Sequence, residues 1–93
     1  MVGQPGDREI KVKRYIALGR VTWSPSGKTK IWQVIQIGVE GFQLKLGEIR
    51  WQASWRRYAF FPELHTLYDE SCLRTLADYC QMKTQDHREA RAK

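Results

Sequence analysis

Between residues 10 and 61 the apolar positions of this 93-residue chain fall into short runs rich in β-branched and aromatic side chains, broken by Gly, Pro and Ser; after residue 69 they recur at helical spacing. Ile10 to Trp23 predicts a first strand. Its alternation changes phase, with Val12, Ile16 and Leu18 on one parity and Val21 and Trp23 on the other. Gly19 stands at the change, and Gly inside a strand often marks a bulge. Ser24-Pro25-Ser26-Gly27 is a turn signal, because Pro25 presets φ and Gly27 accepts a positive one. A second strand is expected over Lys30–Ile37 and a turn over 38–41. A third strand follows from Phe42 to about Trp51, with Phe42, Leu44 and Leu46 on one face, Ile49 and Trp51 on the other, and Gly47 at the shift. Gln52-Ala53-Ser54 is read as a three-residue hairpin loop, which would seat Trp51 and Trp55 side by side. A fourth strand, Trp55 to Phe61, stops at Pro62, which has no N–H to donate.

Asp69 is a suitable N-cap for a helix from Glu70 to about Lys83. Cys72, Leu73, Leu76, Ala77 and Cys80 form its apolar stripe, which Tyr79 and Met82 extend. The expected fold is α+β, a four-stranded antiparallel meander followed by one C-terminal helix packed on the sheet. Short connections imply antiparallel neighbours, and an apolar sheet face needs a cover. Residues 1–9 are expected to be a flexible leader, 10–83 the single domain, and 84–93 a charged, frayed tail.

Composition narrows the functional classes. The formal charge of +6 favours nucleic acid, an anionic surface or an acidic protein as partner. Cys72 and Cys80, eight residues apart on one helix, would stand about 12 Å apart along its axis, too far for a disulfide. With no apolar run long enough to span a bilayer and no secretory h-region at the start, a cytoplasmic protein is expected.

The richest segment runs from Gly47 to Pro62, where Arg50, Arg56 and Arg57 interleave with Trp51, Trp55 and Tyr58. Such a mixture suits a single-strand-binding platform, on which bases stack for roughly 1–3 kcal/mol each while Arg meets phosphate. It also suits plain cross-strand packing of the two indoles. Arg20, Lys28 and Lys30 flank the first turn and could make a basic finger for phosphates, or serve as edge charges that deter aggregation. The candidate nucleic-acid-binding residues are therefore Arg20, Lys28, Lys30, Arg50, Trp51, Trp55, Arg56, Arg57 and Tyr58.

Catalysis finds little footing. His65 and His87 are isolated, and no spacing of Cys, His or Glu implies a metal or cofactor. Ser26-Gly27-Lys28-Thr29 contains a Gly-Lys-Thr triplet, but Thr22 stands where a phosphate loop needs Gly, and a strand rather than a helix follows.

The run Leu46-Gly47-Glu48-Ile49-Arg50-Trp51, the run Trp55-Arg56-Arg57-Tyr58-Ala59-Phe60-Phe61-Pro62, and Cys72-Leu73-Arg74-Thr75-Leu76-Ala77-Asp78-Tyr79 together resemble small uncharacterised phage and prophage proteins, over about half the chain. That resemblance implies a genomic setting and no mechanism. The β-β-β-β-α order is similar in topology to PC4/Whirly-type single-strand binders, and topology alone does not give function. Two readings follow. One is a non-enzymatic nucleic-acid-binding module, single-stranded or non-specific. The other is a phage-type accessory protein-interaction module, or a homodimer, using the aromatic sheet face.

Overall fold

A computed structural model of the chain describes residues 15–38 and 41–92. The expected leader, residues 10–14 of the first expected strand with their basic Lys11, Lys13 and Arg14, and Val39 and Glu40 lie outside the described residues. The elements are β1 (Tyr15–Trp23), β2 (Lys30–Ile37), β3 (Gln43–Gln52), β4 (Arg57–Pro62) and a helix, α1 (Glu70–Ala92). The strands form one antiparallel sheet in the order β1-β2-β3-β4, so the architecture is the expected α+β meander with a C-terminal helix.

Both glycine-marked phase shifts are register shifts. Leu18 faces Val34 but Val21 faces Trp32, so β1 carries one extra residue beside Gly19. Val34 faces Gly47 while Ile35 faces Lys45, so Leu46 is the extra residue of β3. The second shift turns Leu46 inward beside Val34, Ile49, Tyr58 and Leu76, which form the core. At Gly47 the neighbouring backbone comes very close. A Cβ there would collide with the Phe61 carbonyl oxygen and lie 2.8–2.9 Å from the Phe60 ring. Phe42 and Leu44, expected to share a face with Leu46, are exposed instead, because they precede the bulge.

Pairing of Ile49 with Trp32 on one side and Phe60 on the other, and of Trp51 with Tyr58, places the large rings on the face under α1. The opposite face is mixed, with Ile35 and Phe61 beside Lys45, Glu48 and Arg50. The chain's own helix thus covers most of its aromatic side.

The helix begins where expected. The Cys72 N–H donates to Asp69 Oδ1 at 2.9 Å, the geometry of an N-cap. It does not end near Lys83 as expected. It continues through the supposed tail to Ala92, for a length of roughly 34 Å. The stripe that faces the sheet explains this. Cys72 and Leu76 are buried, while Leu73 and Ala77 are exposed. Beyond Cys80 the stripe passes to Lys83, Thr84 and His87, which dock through polar and ring contacts rather than aliphatic bulk. Apolar periodicity cannot register such a continuation.

Both edge strands are tied to the helix. Tyr79 donates its hydroxyl hydrogen to the Ile16 carbonyl of β1 at 3.1 Å. The Tyr58 N–H of β4 donates to Thr84 Oγ1 at 2.9 Å. At the other end, the Leu46 carbonyl at the bulge accepts from the Glu63 N–H at 2.8 Å and from the Tyr68 hydroxyl at 3.0 Å. The bulge thereby anchors the connector that feeds α1.

Candidate nucleic-acid interface

An antiparallel meander puts the β1–β2 and β3–β4 turns at the same end of the sheet. The helix, returning from the far end, finishes there too. Lys83 lies over the Trp32 ring at 4.3 Å, Thr84 meets Tyr58, and His87 packs on Trp51 with ring centroids 4.3 Å apart. Three segments distant in sequence therefore meet at one end, and each is basic. The first turn brings Lys28, the second Arg56 and Arg57, and the last helical turns Arg88 and Arg91.

Among the described residues, none of these five cations has an ion pair, a hydrogen bond from its side chain or a ring partner. Lys30 and Lys83 also sit at this end but lie over Trp23 and Trp32. Asp86 and Glu89 are the nearby carboxylates on the helix, and Glu89 accepts from Gln85 at 3.2 Å. The far end differs. There Lys45 meets Glu48 at 3.1 Å and Glu63 at 3.5 Å, and Arg74 meets Glu70 at 3.4 Å. Its hydrogen bond to Glu48 is the main reason the Lys45 ammonium is held above its usual pKa, with the charges of Glu48 and Glu63 adding to it. Clustered like charges repel one another by an amount that salt screens over about 8–10 Å.

The nine candidate residues divide by position. Lys28, Lys30, Arg56 and Arg57 belong to the basic end. Trp55 does too, at 63% exposed. It is not the first residue of β4 and does not face Trp51. Gln52 pairs with Arg57, so the loop is the four residues 53–56, closed by bonds from the Trp55 and Arg56 N–H groups to the Gln52 carbonyl. Trp51 pairs with Tyr58 and is half-buried between Tyr58 and His87. Tyr58 is 5% exposed, with its ring against the edges of Trp32 and Trp51, so it has no face for a base. Burial raises its pKa, and a hydrogen bond with the Lys30 backbone partly offsets this. Arg50 lies on the open face, over the Phe61 ring at 5.5 Å and 3.7 Å from Glu48. Arg20 falls within the β1 bulge, away from the first turn.

Sequence reading missed Trp23, His87, Arg88 and Arg91. Trp23 is 60% exposed, with the Lys30 ammonium over one face of its ring at 5.3 Å, and gives the basic end a second exposed indole. The other three lie in the segment expected to fray. Gln85, Arg88, Glu89, Ala90 and Arg91 are good helix formers with no Gly or Pro among them, and that was the available signal.

In comparisons with known proteins, no family model, no curated protein and no solved structure matches the chain. No helix among the described residues is long and apolar enough to cross a membrane.

Proposed function

We propose that this chain is a non-enzymatic nucleic-acid-binding module that engages single-stranded or sequence-non-specific nucleic acid through the basic end. The observation that supports this reading is the meeting there of Lys28, Arg56, Arg57, Arg88 and Arg91, none of which has an ion pair among the described residues, beside the exposed rings of Trp23 and Trp55. The cations meet phosphates and the two indoles offer stacking faces. Trp23 ends β1 and Trp55 lies in the loop after β3, at least two strand spacings of about 4.8 Å away were the sheet flat, so the two indoles would contact different bases.

Titration of the protein with short single-stranded DNA and RNA and with duplex DNA at low salt tests this. The expected result is quenching of Trp fluorescence by single strands, lost in large part in Trp55→Ala. Unchanged fluorescence, together with no mobility shift of any of these nucleic acids, would contradict it. The second reading, a protein-interaction module, draws on exposed apolar side chains at the far end, Phe42 at 69% and Leu64 at 85% exposed. It predicts association that ignores salt.

A further inference from the structure

Between the β1–β2 turn and the end of α1 lies a cleft of about 430 Å³, lined by Ser26, Lys28, Thr29, Trp51, His87 and Arg91. Its composition is specific: two full cations, an imidazole, two hydroxyls and an indole, with no carboxylate among the described residues of the lining. The turn that carries half of it is internally fixed. The Gly27 N–H donates to the Ser24 carbonyl at 2.8 Å, the Ser24 N–H to the Thr29 carbonyl at 2.8 Å, and the Lys28 N–H to Ser26 Oγ at 3.2 Å. The opposite wall is fixed by His87, whose ring packs on Trp51 at 4.3 Å and stands 6.1 Å from Tyr58.

Resting on the nucleic-acid reading, we infer that this cleft takes the terminal phosphomonoester of a strand in preference to an internal phosphodiester. Charge and donor number both favour the terminal group. An internal phosphodiester brings one negative charge. A terminal phosphate brings roughly −1.5 to −2 and three strong acceptor oxygens. Lys28 and Arg91 supply two positive charges from elements at opposite ends of the chain. Their N–H groups, the Ser26 and Thr29 hydroxyls and the imidazole together offer enough donors for three oxygens. The helix C-terminus beside Arg91 carries about −0.5 of partial charge, which disfavours an anion unless side-chain cations outweigh it. The two cations do so for a dianion with charge to spare. The three remaining cations of the basic end, Arg56, Arg57 and Arg88, would hold the strand's other phosphates by charge alone, whereas this cleft would read the end.

The test compares octanucleotides of one sequence bearing a 5′-phosphate, a 3′-phosphate or hydroxyls at both ends. Their affinities are measured against the wild-type chain, Lys28→Gln/Arg91→Gln, and Arg57→Gln/Arg88→Gln. The expected result is at least tenfold tighter binding of one phosphorylated form. That advantage should vanish in Lys28→Gln/Arg91→Gln and survive in Arg57→Gln/Arg88→Gln, whose overall affinity falls. Equal binding of all three oligonucleotides would overturn the end-recognition inference and leave nucleic-acid binding standing. An end-phosphate advantage that persists in Lys28→Gln/Arg91→Gln would overturn the assignment to this cleft. Binding of none of them would overturn both.

Discussion

Arg56 occupies a backbone position that does not suit it. Its φ of 57° lies in the left-handed region, where an L side chain other than Gly, Asn or Asp costs roughly 1–2 kcal/mol. Gly27, at φ 75°, fills the comparable need of the first turn without strain. Replacing Arg56 by Gly is therefore expected to raise unfolding free energy by about 0.5–1 kcal/mol. The same change should weaken oligonucleotide binding, so denaturant melts and binding titrations should move in opposite directions. A loss of both would mean that the Arg56 side chain supports the fold through a contact. Gly47 is the converse case. Alanine there meets the Phe61 carbonyl and the Phe60 ring, and a cost of about 1–3 kcal/mol is expected in urea melts. The two glycines at the phase shifts were legible in the sequence because a change of parity is a pattern. The left-handed Arg56 was not, since nothing in an Arg-Arg pair announces which member turns the chain.

At the level of elements, β2 has its expected bounds, and α1 its expected start, which Asp69 and Glu70 signalled. The errors cluster where a hydrogen bond or ring contact replaces aliphatic burial. Thr84 is the buried polar residue of the helix, 8% exposed, and it holds the Tyr58 N–H of edge strand β4. A hydroxyl at that position carries the stripe onward, yet in a sequence it looks like the end of the apolar pattern. Thr84→Val keeps shape and removes the acceptor, so it is expected to cost about 1–3 kcal/mol through an unsatisfied buried amide. Amide exchange should show Tyr58 losing protection first. A neutral effect would mean that water replaces the hydroxyl. The loop of β3–β4 is the other miss. Four residues instead of three move Trp55 out of the sheet and into solvent, which turns a packing indole into one available for stacking. Both turns carry Gly or positive-φ residues, but loop length is set by which register buries Tyr58, Trp51 and Trp32 together, and that is a tertiary choice.

Taken whole, the molecule has two unlike ends. Acidic side chains near the connector pair with their cations, and the hairpin tips and helix terminus gather Lys28, Arg56, Arg57, Arg88 and Arg91, which have no ion pair among the described residues. The net charge of +6 is plain in the sequence, but its segregation is not, because it depends on the helix running nine residues past its expected end at Lys83. A frayed tail would give Arg88 and Arg91 no fixed place. The curled sheet with both edges tied to the helix also disfavours strand-to-strand association, since β4 and β1 each present a group already engaged by α1. On this reading the position of charge, rather than its total, governs binding. The most direct test is the salt dependence of single-strand affinity in two variants that each remove two charges, Arg57→Gln/Arg88→Gln at the basic end and Lys45→Gln/Arg74→Gln at the far end. The first is expected to lower the slope of log affinity against log salt by about 1.4, near 0.7 for each phosphate no longer neutralised, while the second leaves it at the wild-type value. Equal slopes in the two variants would contradict the claim.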